Sequence, residues 1–289
     1  MKRQAIYYGR NHDGYPEKLR TLSDSPSGLY VEGSLPDPSA KSVAVVGARR
    51  CTSYGRKQAA YFARILASRG VQVISGLAAG IDAAAHEGAL EGGGKTYAVL
   101  GCGTDICYPK DNYRLYRQIR EEGGLISEYR PGTPPLAFHF PQRNRIISGL
   151  ADLVLVVEAG QKSGALITAD CALEQGKTVF AVPGRLCDPA SAGCNGLIAQ
   201  GAGLALSPEM ILEELGVPAV GGKQKAEMIL QSFPESFRKV RDCLSEGEKS
   251  LEELSASLGM EVPELAGILM ALELNGIVEE DSAGYSLTE

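Results

Sequence analysis

A chain of 289 residues exceeds the roughly 100 to 200 of an ordinary domain, so two or three units are expected, and 44 % apolar with 22 % charged residues excludes a wholly disordered chain. No run approaches the roughly 18 consecutive apolar residues of a membrane span, and the start MKRQAIYYGRNHDGY lacks a secretory h-region, so a soluble cytoplasmic protein is expected. The net charge of −6 disfavours anionic partners only until it is split by position: residues 223–289 hold six Lys/Arg against fourteen Asp/Glu, whereas residues 1–222 hold 23 against 21, leaving room for a local basic patch.

In chain order, short β-rich apolar runs alternate with segments of helical period. Strands are predicted at 42–47 (SVAVVG), 71–75, 96–100, 125–128, 152–159 and 178–182. Between the first two, Ala59, Phe62, Ala63 and Leu66 recur at i, i+3, i+4 and i+7, which is one apolar helix face ending at Gly70. Further helices are expected at about 80–91, 112–121, 141–150 and 163–175, the last stopped by Gly176. Strands separated by helices at this spacing give βαβ units and a mostly parallel, doubly wound α/β sheet over residues 42–215. The stretch 216–233 mixes Gly, Pro and Lys without periodicity and reads as a linker. Beyond it, residues 234–289 show a helix opening at Pro234, a second behind the capping-box pair Ser250 and Glu253, a third in VPELAGILMALELNG, and two short strands around a turn at 282–284. That order suggests a winged helix, although a three-helix bundle fits it nearly as well.

Four strand-to-helix turns carry small residues: VAVVGARRCTSYG, VISGLAAGID, AVLGCGTDICYPKDN and VVEAGQKSGALIT. In doubly wound sheets ligands sit outside the carboxyl ends of the strands, where helix N-termini favour anions, so four such turns together imply a phosphate-binding rim. The segment FHFPQRNRIISG adds Arg143 and Arg145 around Asn144, with Phe138 and Phe140 just upstream of a helix start at Pro141. Guanidiniums take phosphates and rings stack on bases, the pairing a nucleic-acid strand needs. Two other patterns fail on inspection. GGGKT at 92–96 resembles the end of a Walker A motif, but Ala89 stands where its first Gly belongs and a strand follows; GCG at 101–103 opens like a dinucleotide fingerprint, but Ile106 stands at the third Gly. No cofactor is therefore expected. Asp82 and His86 share a helix face without a nucleophile at a partner spacing, and the seven cysteines, Cys187 and Cys194 among them, lack paired ligand spacing, so neither catalysis nor a metal site is expected.

Six ordered blocks over about residues 27–212 then identify a resemblance: VAVVGARRCTSYG, ISGLAAGIDAAAHEGAL, YAVLGCGTDICYPKDN, FPQRNRIISGLADLVLVVEA, SGALITADCALEQGKTVFAVPG and CNGLIAQGA resemble the DNA-processing protein A (DprA/Smf) family. The resemblance implies an extended Rossmann-like domain that binds single-stranded DNA, protects it and loads RecA recombinase in natural transformation, without enzymatic activity, in a homodimer. It also implies a winged-helix-like domain from about 234, and a lead-in over 1–41 whose usual SAM-like helical domain is absent or truncated. Carried over position by position, the single-stranded DNA contacts fall on Gly47 and Arg49 of GAR, Lys110 of YPKDN, Phe140, Arg143, Asn144 and Arg145 of the RNR block, and Ser163 with Thr168. Ala79 departs from the family, which usually has Arg there, so one cation is missing. The enzyme rival is a nucleotide-binding or nucleotide-hydrolysing relative of phosphoribohydrolases; those need a Glu three residues after a Thr, and Cys171 stands three after Thr168. The acid-rich tail is expected to meet protein rather than duplex DNA, whose non-specific affinity comes from Lys and Arg.

Overall fold

A computed structural model describes residues 5–218, 234–245, 247–274, 277–280 and 284–287. The chain divides into two compact units, Met1–Val217 and Pro218–Glu289. Most of the linker expected at 216–233, and residues 282 and 283 of the turn expected at 282–284, lie outside the described residues.

The first unit is built on a nine-stranded sheet in the order β1-β2-β6-β5-β4-β3-β7-β8-β9. Its strands are β1 (Ile6–Gly9), β2 (Gly28–Gly33), β3 (Ser42–Val46), β4 (Gln72–Ser75), β5 (Thr96–Val99), β6 (Gly124–Ser127), β7 (Leu153–Val156), β8 (Thr178–Ala181) and β9 (Gly203–Leu204). Seven neighbouring strands from β6 to β9 run parallel, while β1 and β2 close one edge antiparallel. The helices are α1 (Glu17–Arg20), α2 (Ser53–Ser68), α3 (Ile81–Glu91), α4 (Tyr113–Glu122), α5 (His139–Leu150), α6 (Gly164–Glu174), α7 (Ala192–Ala199) and α8 (Pro208–Glu214).

Successive residues of β3 serve opposite faces, as the pleat demands. Val43 and Val45 pack with Phe62 and Leu66 of α2, Ile81 of α3 and Ile211 of α8; Ala44 and Val46 pack with Ile146 and Leu150 of α5 and Ala165 and Ala169 of α6. A sheet covered on both faces explains why these strands read as unbroken apolar runs. The chain proceeds from β3 outward through β4, β5 and β6, then crosses back by α5 to β7 on the other side of β3. This reversal is a topological switch point, and the crevice outside the carboxyl ends of β3 and β7 is where such sheets hold ligands.

The lead-in expected over residues 1–41 contributes to this sheet. Leu29 and Val31 of β2, Leu19 of α1 and Tyr15 are buried in the core that lines one face, so the segment packs as part of the first unit. Helix α5 begins at His139, two residues before the start expected at Pro141, which places Phe140 inside the helix.

The second unit contains α9 (Glu235–Leu244), α10 (Leu251–Leu258), α11 (Val262–Leu274) and an antiparallel ribbon of β10 (Val278–Glu280) with β11 (Tyr285–Leu287). Ser250 and Glu253 close the capping box, the Ser250 N–H donating to Glu253 Oε2 at 2.8 Å and the Glu253 N–H to Ser250 Oγ at 3.2 Å. Val240, Leu244, Leu254, Leu265, Leu269 and Leu272 form its own core. Three helices with a ribbon are the elements of a winged helix.

Candidate nucleic-acid interface

The switch point holds an open cleft of about 780 Å³. Four connections supply its walls: residues 46–50 after β3, Ala78 and Asp82 after β4, Tyr108 after β5, and residues 160–168 after β7, with the opening turns of α5 between them. Gly47 sits where these walls converge, and a Cβ there would stand 2.6 Å from Ile81 Cγ1 and 2.8 Å from the Glu158 carbonyl oxygen, so no larger residue fits.

One rim is cationic and aromatic. The Arg49 guanidinium lies 5.0 Å from the Phe140 ring centroid, and the Tyr108 ring lies 5.4 Å from the same centroid at 34°. Arg49, Arg50 and Lys162 are exposed, line the cleft, and among the described residues form no ion pair. Their charges are free for a ligand. On the wall formed by residues 160–168, Ser163 caps α6, its hydroxyl accepting from the Ala165 N–H at 3.4 Å, and the opening residues of that helix line the cleft. A helix N-terminus beside Lys162 favours an anion twice, through bare N–H groups and through the helix dipole. Asn144, its amide donating to the Gly164 carbonyl at 3.3 Å, and the buried Thr168 complete that wall.

The floor is polar and bonded in part within itself. Arg143 is 3 % exposed and its Nη1 donates to the carbonyl of Gly76 at 2.8 Å and to that of Val99. Asp82 accepts from the Gly76 N–H at 3.2 Å. Burial pushes the Asp82 carboxyl up, opposed by the Arg143 charge, and burial pulls Arg143 down to about 10, which leaves it charged at neutral pH. His86 is bonded away from Asp82. Its Nδ1 pairs with Thr96 Oγ1 at 2.7 Å, and complete burial, helped by the Arg143 charge, lowers its pKa to about 3, so it is a neutral core residue.

Of the positions singled out from sequence, the fold brings Gly47, Arg49, Phe140, Arg143, Asn144, Ser163 and Thr168 to this one cleft. Two stand apart. Lys110 is exposed on a 3-10 turn at Lys110–Asn112 outside the lining, although Tyr108 of the same loop is within it. Arg145 points to the opposite side of α5, pairing with Glu128 Oε2 at 2.7 Å and Asp24 Oδ2 at 3.2 Å. Two residues along a helix is a turn of about 200°, so Arg143 and Arg145 cannot share a face. Sequence reading did not single out Arg50, Tyr108 or Lys162; lone residues in loops carry no periodic signal. The seven cysteines are free thiols, and among the described residues no three His, Cys, Asp or Glu side chains are grouped to hold a metal.

A doubly wound sheet with cations, aromatic rings and a helix N-terminus at its switch point defines the Rossmann-like class. More specifically, the chain belongs to the DNA recombination-mediator protein A family, whose model matches residues 7–216, and a DprA winged helix domain model matches residues 227–284. It is 42 % identical to protein Smf of Escherichia coli over 281 residues, covering 94 % of this chain and 74 % of that one. It is 47 % identical to DNA processing protein DprA of Streptococcus pneumoniae over 202 residues, 70 % of this chain and 71 % of that one. Among solved structures, DNA processing protein A from Streptococcus pneumoniae aligns with a TM-score of 0.69 at 44 % identity, over 73 % of this chain and 74 % of the other. DNA processing protein A from Helicobacter pylori, reported for its single-stranded DNA binding mode, aligns with a TM-score of 0.64 at 31 % identity, over 72 % and 95 %.

Proposed function

We propose that this protein binds single-stranded DNA in the switch-point cleft, protects incoming strands and loads RecA recombinase onto them during natural transformation, acting in the cytoplasm as a non-enzymatic homodimer. The observation that carries the reading is the gathering in one cleft of three cations that form no ion pair among the described residues, Arg49, Arg50 and Lys162, with the tilted ring pair of Phe140 and Tyr108. Cations track a phosphate backbone and rings take bases of any identity, the combination that sequence-independent single-strand binding requires. The single-stranded DNA binding mode reported for the Helicobacter pylori relative supports it. Against a hydrolase, Asp82 is the only acid among the described residues that lines the cleft, and Cys171, where the rival family needs a carboxylate, faces a separate groove with Arg145 and Gln175.

A gel-shift comparison of single-stranded with duplex oligonucleotides, with and without ATP or a chelator, tests this. The single strand should shift at lower protein concentration than the duplex, and neither ATP nor the chelator should alter it. A mononucleotide that competes as strongly as the oligonucleotide would overturn the reading in favour of a nucleotide-binding protein.

A further inference from the structure

Arg143 lines the cleft yet presents its charge differently from the other cations. It is buried, and its two Nη1 protons are committed to the carbonyls of Gly76, just beyond β4, and Val99, the last residue of β5. The guanidinium lies 5.9 Å from the centroid of the Phe140 ring, which stands one helical turn earlier on the same helix. Arg49 lies 5.0 Å from that centroid, so one ring serves two guanidiniums. Gly76 marks how closely the floor is built. A Cβ there would stand 2.7 Å from Arg143 Nη2 and 2.7 Å from Asp82 Oδ2, so glycine alone lets both side chains meet over the strand end.

We propose that Arg143 is a positioning residue for the single-stranded DNA site: it staples the ends of β4 and β5 to α5 and fixes the Phe140 ring for base stacking, while the phosphates are taken by Arg49, Arg50 and Lys162. The inference rests on the reading of the cleft as the single-strand site. It departs from the expectation that both arginines of the RNR block hold phosphate. The Arg143 Nη1 already serves two backbone carbonyls, and swinging the guanidinium out to a phosphate would break both bonds, whereas Arg49 breaks none.

The two roles separate in the salt dependence of binding. A phosphate contact on a single strand contributes about 0.7 to the slope of log affinity against log salt, whereas a stacking contact contributes none. For folded Arg143→Gln, affinity for an oligonucleotide should fall on the order of tenfold with the slope unchanged, and the defect should shrink towards nothing on an abasic oligonucleotide, which offers no base to stack. A slope shallower by about 0.7, and a defect that persists on the abasic strand, would overturn the proposal in favour of a direct phosphate contact. Phe140→Leu is the second variant, and it decides the matter should Arg143→Gln not fold. It should reproduce the affinity loss at unchanged slope, and an unaltered affinity would overturn the proposal because Arg143 is argued to act through that ring. Failure of the wild-type protein to bind single strands would instead sink the functional reading itself.

Discussion

Replacing Arg49 with alanine tests the site through its salt dependence. The cleft offers three cations, Arg49, Arg50 and Lys162, without an ion pair among the described residues. At about 0.7 per phosphate contact on a single strand they give a slope of log affinity against log salt of about −2.1. Raising salt from 50 to 200 mM should then weaken wild-type binding by roughly 18-fold, and that of Arg49→Ala by roughly 7-fold, at a slope of about −1.4. The variant's defect should therefore be largest at low salt and narrow by about 2.6-fold over that range. Loss of the contact to Phe140, 5.0 Å from the guanidinium, adds a salt-independent part. Fluorescence anisotropy on a labelled oligonucleotide at four or five salt concentrations measures both parts. Parallel lines for wild type and variant, in protein that remains folded, would refute the assignment of Arg49 to a phosphate. A wild-type slope near −3 would instead mean that cations outside the cleft, Lys110 foremost, take part.

Three more outcomes follow from named contacts. Arg145→Met should leave the salt slope alone but lower unfolding free energy by about 1 to 3 kcal/mol in urea titration, because it strips the partner from the largely buried Glu128; full stability would show the pair to be idle. Truncation after Val217 should keep single-strand affinity within about threefold by the same anisotropy assay, since every cleft residue precedes that point. A collapse in a folded truncated protein would move part of the DNA site into the second unit. His86 supplies a pH signature: its folded pKa of about 3 lies below the ordinary 6.5, so the unfolded chain binds the extra proton, and stability present above pH 6.5 is lost as pH falls towards 3. Between pH 6 and 4 wild type should lose up to about 1.4 kcal/mol per pH unit more than His86→Gln, measured by urea unfolding, and identical pH profiles would rule out the buried neutral imidazole.

The strands of the parallel sheet were legible because each is a short β-rich run between turn residues, and the helices because their apolar positions recur at helical spacing. Segments without either signal were not. The edge strand β1 is partly exposed, and β2 mixes buried and half-buried residues around glycines; β2 joins the sheet through long-range pairing with β6, and β1 through β2, which no local pattern announces. Helix α7 is apolar nearly all round and β9 has only two residues, so neither offers a period to read. At the site, residues from all four small-residue turns line one cleft, since small residues at strand ends have a backbone cause. Which cations face it was less legible. Arg143 and Arg145 are alike in sequence, and only packing tells that one bonds strand ends while the other meets Glu128 and Asp24.

That difference sets unequal rules for how the two arginines can drift. Arg145 answers to side chains, so its charge can disappear in step with neutral replacements at Glu128 and Asp24, and such triples are expected to survive together. Arg143 answers to the carbonyls of Gly76 and Val99, which every amino acid carries alike. No second mutation can retune a peptide oxygen, so the two carbonyl bonds of a lost Arg143 cannot be restored by a change at Gly76 or Val99. The first arginine of the block is thereby held by the backbone itself, and the last only by the company it keeps.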